Sequence, residues 1–267
     1  MNGAHNVVRP LATSGRSIDA KIVHRPKNYP IDGRTVVVNP NLTPAFAGES
    51  PGDRIPAFSS TILTGTRVEE AESVLLFQVN PEIGTADGTD RAAGATGVSG
   101  IVDEPGWSML GDLLAEAGGD GAGAGDPGPG LPFPRECPLW RGPQDDIGLM
   151  EFDPALALGR PASPGGARTF RVKVNLWFAP AGTDCFIHDR HDFIEIHSQI
   201  YGFGRMQKFT AQDHSALYED LLMSPGQTTP TPFCRMGPGG TFVYPWHQYR
   251  ADTDCVWLAV EYHAVTP

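Results

Sequence analysis

The sequence has few cysteines, and those present are not arranged as a scaffold. Its four cysteines, Cys137, Cys185, Cys234 and Cys255, include no C-x-x-C pair. Four are too few for a disulfide framework in a chain of 267 residues, so we expect free thiols in a reducing compartment. This expectation, with the absence of an apolar signal-peptide core in residues 1–16, predicts a cytoplasmic protein.

Positive charge and long apolar runs are also scarce. The chain has 20 Lys and Arg against 31 Asp and Glu, a net charge of −11, which argues against a phosphate-backbone partner. No segment approaches the roughly 20 apolar residues of a membrane span. We therefore expect neither a nucleic-acid nor a membrane partner.

Turn-forming residues, by contrast, are abundant. The 32 glycines and 25 prolines favour short elements joined by many turns over long helices. In residues 1–83 they leave only short extended pieces, such as 34–39, and we interpret this part as an N-terminal arm with outer strands of one domain. Segments 59–66 and 73–79 are predicted to pair across a turn that carries Gly65, Glu69 and Glu70.

Residues 84–146 are interpreted as a Gly- and Pro-rich insertion, most extreme at 84–130. Only 107–117 has helical periodicity there, and the rest buries too little apolar surface to offset its ordering entropy. We consider two interpretations of the insertion. It is mobile and becomes ordered when a substrate or a partner subunit contacts it, or it is a loop expansion without a function. Residues 147–267 are predicted to form the core.

Two segments of this core alternate as strands do. Residues 169–178 place Phe170, Val172, Val174, Leu176 and Phe178 on one face. Residues 193–201 place three isoleucines and Ser198 on one face and, on the other, Phe193, Glu195, His197, Gln199 and Tyr201. The isoleucine face is predicted to pack on a second sheet, and the polar face to line a cavity, because buried polar groups need partners.

The histidines are clustered in the same region. His188, His191 and His197 fall within ten residues, and His247 lies in a later predicted strand. Neutral imidazole and carboxylate are ligands of divalent transition metals, so a metal site is predicted.

The spacing of these residues resembles the cupin superfamily. Its usual first motif is G-x5-H-x-H-x3/4-E-x6-G, and here Gly182, His188, His191, Glu195 and Gly202 follow it with one departure. Two residues, instead of one, separate the histidines, so a regular strand would point them to opposite faces unless a bulge at 189–190 re-aims one. Either His188 or His191 could therefore be the ligand, with His197 supplying a missing nitrogen.

The usual second motif, G-x5-P-x-G-x2-H, is contracted here. Gly239 and Pro245 are correctly spaced, but Trp246 and His247 follow at once. The resemblance covers residues 169–263. The candidate metal ligands are His188, His191, Glu195, His197 and His247.

The resemblance implies an all-β fold, a double-stranded β-helix forming a small barrel, with the N-terminal arm and Gly-rich insertion added to it. It also implies a homodimer and one divalent transition metal ion per chain, iron or zinc, with nickel or manganese as alternatives. The candidate catalytic residues are Glu195, Gln199 and Tyr201, and the candidate substrate-binding residues are Arg205, Gln207 and Trp246.

The leading functional hypothesis is an enzyme that transforms a small polar metabolite, with a 3-His/1-Glu-type iron oxygenase as its first subclass. A zinc enzyme catalysing a lyase, isomerase or other non-redox reaction is the second. Residues 191–207 also look like the cupin part of bacterial hydrazine-forming synthetases, which join two nitrogens with zinc. The non-enzymatic alternative is a metal-containing module that binds a small molecule.

Overall fold

The computed structural model describes residues 4–48, 50, 53–80, 98–116, 133–163, 166–229 and 232–265. Within them the chain forms twenty strands whose pairings are all antiparallel. The predicted all-β class is confirmed. Much of the predicted insertion, residues 84–97 and 117–130, lies outside the described residues, and the division at 83 and 146 stays a prediction. Among the described residues, no helix is long and apolar enough to cross a membrane.

The N-terminal region contains nine strands in two sheets. They are β1 (Val7–Pro10), β2 (Ile18–His24), β3 (Lys27–Ile31), β4 (Thr35–Asn39), β5 (Ala45–Ala47), β6 (Arg54–Ile55), β7 (Ser59–Leu63), β8 (Thr66–Glu70) and β9 (Ser73–Val79). One sheet has the order β1-β2-β9-β4-β7 and the other β3-β8-β5-β6. A cluster that includes Val37, Val68 and Leu76 fills the space between them.

The predicted pairing of 59–66 with 73–79 is wrong. Strands β7 and β9 flank β4 on opposite sides, and the supposed turn between them contains β8, which belongs to the other sheet. The reason lies in β4, all of whose residues are buried. Val37 faces the second N-terminal sheet while Val36 and Val38 face the rest of the protein, so this apolar strand takes a central position.

Among its described residues, the C-terminal region contains the remaining strands and two short α-helices. They are β10 (Ser108–Met109), α1 (Leu110–Glu116), β11 (Trp140–Arg141), β12 (Asp145–Phe152), α2 (Pro154–Ala157), β13 (Arg168–Ala179), β14 (Phe193–Tyr201), β15 (Gly204–Phe209), β16 (Leu217–Met223), β17 (Arg235–Met236), β18 (Phe242–Val243), β19 (Trp246–Ala251) and β20 (Cys255–Ala264). Helix α1 falls within the predicted helical segment 107–117.

The largest C-terminal sheet has the order β10-β11-β13-β20-β14, with β12 also paired to β13. Its outer face carries the predicted alternating residues of β13 and the isoleucines of β14, and it packs on β2, β4 and β9 in one core. The predicted packing of this face on a second sheet is confirmed. Its inner face is polar and lies towards the three-stranded sheet β16-β15-β19, where Tyr249 contacts the rings of His197 and Trp257.

A bulge changes the end of β14. Gln199 pairs with Trp257, but Tyr201 pairs with the next residue, Val256, so Ile200 is the extra residue. Tyr201 therefore shares the face of Val256 and packs against the outer core. The prediction that Tyr201 continues the Glu195 face is wrong, because strict alternation does not pass through a bulge.

Candidate metal centre and its cavity

Two histidines of the site are held by each other's backbone. His188 and His247 form an antiparallel bridge in which each N–H donates to the other's carbonyl, at 3.0 and 2.8 Å. His191 lies three residues after His188, in the turn that precedes β14. The extra residue between the two motif histidines therefore falls in a loop, and both imidazoles reach one place.

The three imidazoles meet through their Nε2 atoms. His191 Nε2 lies 3.0 Å from His188 Nε2 and 3.1 Å from His247 Nε2. The Nδ1 atoms of His188 and His247 lie 3.1 and 2.8 Å from the carbonyls of Phe186 and Pro245. Since a carbonyl only accepts, these Nδ1 atoms carry the protons and leave both Nε2 lone pairs free.

Without a bound cation, the three Nε2 atoms have too few hydrogens for both short contacts to be hydrogen bonds. His191 Nε2 can carry one hydrogen and donate it to only one neighbour, so at least one of the two short N···N contacts has two facing lone pairs. A cation at the centre removes that repulsion. Two nitrogens that each lie about 2.1 Å from a metal ion, with a right angle between the two metal–nitrogen bonds, are about 3.0 Å apart. The three residues therefore fit a transition-metal ion.

Burial favours the neutral form of these imidazoles. It lowers the pKa of His188, and it lowers the pKa values of His191 and His247 well below the ordinary value, with neighbouring histidines adding to the effect. Neutral imidazole is the form that binds metal.

Glu195 lies beside the cluster with a buried carboxylate. Its Oε2 is 3.8 Å from His191 Nε2, and its Oε1 is 2.9 Å from His197 Nε2, without the alignment of a hydrogen bond. His197 thus lies next to Glu195 and outside the three-histidine group. Tyr244 anchors the backbone here, because its hydroxyl accepts from Glu195 N–H and donates to the Phe193 carbonyl, both at 2.9 Å.

The cluster opens onto a cavity of about 390 Å³. Its walls combine Leu110 and Leu114 of α1 with Leu139, Trp177 and Trp257. Tyr249 also lines it, and burial followed by the nearby Glu195 charge raises the pKa of this phenol well above its ordinary value. The histidine cluster therefore faces a partly open cavity with largely apolar walls.

A second polar group lies in the same cavity. The buried carboxylate of Glu261 accepts hydrogen bonds from Asn175 at 2.8 Å and Gln144 at 3.1 Å, and His263 Nε2 lies 2.8 Å from it. Neither Glu261 nor His263 is among the candidate site residues that the sequence predicts. Both residues share a strand face with Trp257, which the sequence alone could have shown. Only the strand register, which sets Glu261 opposite Glu195, shows that this face lines the cavity.

The other predicted site residues do not line this cavity. Gln199 is fully buried and donates to the Tyr201 carbonyl. Arg205 pairs with Asp220 and Asp252, Gln207 accepts from Gln248, and Trp246 begins β19 opposite Phe209. The roles assigned to these residues and to Tyr201 stay predictions.

No protein-family model and no curated protein matches the sequence. Among solved structures, ectoine synthase from P. lautus has 18% identity and a TM-score of 0.25, over 36% of this chain and 56% of that one. An RmlC-like cupin protein from Desulfovibrio desulfuricans has 16% identity and a TM-score of 0.24, over 34% and 71%. A mutant of Bacillus subtilis oxalate decarboxylase has 10% identity and a TM-score of 0.27, over 100% and 80%.

The match spans little more than half of the ectoine synthase. The motif residues His188 and His191 meet His247 in one cluster beside the buried Glu195, an arrangement that resembles the cupin metal site implied by the sequence motifs.

Proposed function

We propose that this protein is a metal-dependent enzyme that transforms a small molecule held in the cavity. The observation that carries the proposal is the convergence of three imidazole Nε2 atoms, next to a buried carboxylate, at the wall of a cavity. The leading subclass is the 3-His/1-Glu-type iron oxygenase.

His188, His191 and His247 would hold one divalent transition metal ion, and Glu195 would complete the set with an oxygen. An ion bound by these four groups would supply a Lewis acid with further coordination positions open to the substrate. The carbonyls of Phe186 and Pro245 orient two of the imidazoles. Tyr244 positions the strand that carries Glu195.

The rest of the cavity binds and shields the substrate. Leu110, Leu114 and Leu139 cover it, so that a bound molecule displaces water from the reacting end. Trp177 and Trp257 are neighbours across β13 and β20 and offer aromatic surface to the carbon skeleton. The substrate is thus a small molecule with a metal-binding atom and an apolar part.

A zinc enzyme that catalyses a non-redox rearrangement is the second candidate, because nitrogen and carboxylate ligands suit zinc as well as iron. The hydrazine-type reaction and the non-catalytic binding module stay as alternatives from the sequence. A homodimer and a cytoplasmic location likewise stay predictions.

The test begins with elemental analysis of protein purified without added metal. We expect about one transition-metal ion per chain in wild type and in the exposed-site control His214→Ala, and loss of the ion in His191→Ala. Protein of each kind is then incubated with a metabolite mixture, with and without oxygen, and compounds are quantified by mass spectrometry.

Metal-dependent consumption of a compound supports an enzyme, and its dependence on oxygen separates the oxygenase from the zinc alternative. A compound that is bound but recovered unchanged indicates the binding module. Absence of metal from wild type, or its full retention in His191→Ala, would contradict the proposal.

A further inference from the structure

We infer that the cavity takes a small organic carboxylate with an apolar body, and that Arg141 and Lys173 bind its carboxylate. This inference names the substrate class of the proposed enzyme and so rests on the proposed function. It is carried by two cations that line the cavity without a carboxylate of their own.

Both side chains line the cavity. Among the residues that the structure describes, neither has an Asp or Glu oxygen within 4.0 Å. The neighbouring Arg171 does have such a partner, because it pairs with Asp146. Lys173 lowers the pKa of Asp146 as a weaker influence, but that carboxylate is already held by Arg171.

Two carboxylates lie directly opposite Lys173 in the sheet, Asp146 in β12, which pairs with Arg171, and Glu261 in β20. The oxygens of Glu261 are engaged by Asn175 and Gln144 and lie close to His263. These three partners stabilise the Glu261 charge from within the protein. The ammonium group of Lys173 therefore stays available to a ligand in the cavity.

Apolar side chains lie beside the two cations on the cavity wall, and Asn175, between Lys173 and Trp177 on this face, is engaged with Glu261. Arg141 lies directly opposite Trp177, and Trp177 shares its strand face with Lys173 four residues earlier. Leu110, Leu114 and Leu139 face the same space. Cations bordering an apolar wall match a molecule that has an anionic end and a hydrocarbon or aromatic body.

Charge balance favours the same class. The ionisable cavity residues other than histidine are three cations and three anions: Arg141, Lys173, Arg190, Asp192, Glu195 and Glu261. A bound divalent ion gives this set a net charge of about +2, whereas the whole chain carries −11. The loaded cavity thus attracts anions although the protein as a whole repels them.

Isothermal titration calorimetry with phenylacetate, 3-phenylpropionate and hexanoate tests the inference. Phenylacetamide is the uncharged control for phenylacetate. Each probe is titrated into the full chain as purified and again after chelation, because a carboxylate could also bind the metal ion directly. The variants are Lys173→Met and Arg141→Met. Arg171→Met is the matched control, on the same strand but outside the cavity.

We expect phenylacetate to bind at least about tenfold more tightly than phenylacetamide in both forms. Each cavity variant should weaken phenylacetate binding about tenfold, and the control should not. Melting temperatures verify folding, and Lys173→Gln replaces Lys173→Met if the latter unfolds.

Three results would each overturn the inference: equal affinity for phenylacetate and phenylacetamide, wild-type affinity in both cavity variants, or no binding of any acid up to about 10 mM. Loss of the proposed metal site is recorded separately by elemental analysis. A protein without metal that still prefers carboxylates would thus contradict only the proposed function.

Discussion

Replacing Tyr244 with Phe tests how the protein holds the strand that presents Glu195. The Tyr244 side chain is only 4% exposed, and its hydroxyl satisfies two backbone groups of β14, the N–H of Glu195 and the carbonyl of Phe193. Its ring also contacts the His191 imidazole, with ring centres 4.7 Å apart. Phenylalanine keeps the ring and removes both hydrogen bonds.

Each buried backbone group left without a partner costs about 1–3 kcal/mol. We therefore expect Tyr244→Phe to lower the free energy of unfolding by about 2–6 kcal/mol, with little cavity cost because the shapes are alike. It should also weaken metal binding, because the Glu195 backbone loses its anchor.

Urea unfolding of chelated protein, followed by circular dichroism, measures the stability change, and a metal titration measures the affinity. Tyr218→Phe is the control, since this tyrosine is 55% exposed. A Tyr244→Phe protein within about 0.5 kcal/mol of wild type would refute the reasoning, because that is the range of ordinary surface substitutions.

Three further predictions concern the cluster and the motif glycines. His247→Ala should abolish stoichiometric metal in elemental analysis while the β-rich circular-dichroism spectrum persists; full retention of metal would contradict the site. Burial lowers the pKa values of the cluster histidines, so the unfolded chain binds protons more readily than the folded protein. The free energy of unfolding should therefore be highest above about pH 6.5 and should fall below that pH by up to about 1.4 kcal/mol per pH unit for each histidine. Urea titrations from pH 7 to 5 should show this decrease, and the decrease should be shallower in His191→Gln. Gly202→Ala should destabilise the protein by more than about 2 kcal/mol in urea titrations, because φ is +74° and an added Cβ would meet the Asp254 carbonyl. Gly182→Ala, at φ +84° with open space around it, should cost only the conformational penalty of about 1–2 kcal/mol. Equal losses in the two variants would contradict this account.

The sequence by itself determined the features that repeat locally. Alternation in β13 and β14 predicts both strands and their two faces, because successive strand side chains point to opposite sides wherever the strand is regular. The clustering of histidines likewise predicts metal chemistry from residue type alone. Even the motif glycine has a local reason, since Gly202 adopts a positive φ in the turn after β14.

Only the tertiary structure decided how these features combine. Whether His188 and His191 reach one point depended on the backbone bridge between His188 and His247, residues 59 positions apart, which no spacing within a motif reveals. The bulge at Ile200, the central place of β4 and the arrival of Glu261 opposite Glu195 are likewise set by pairing between distant strands. Register is selected by the burial of whole sheet faces, a property of the assembled layers rather than of any one strand.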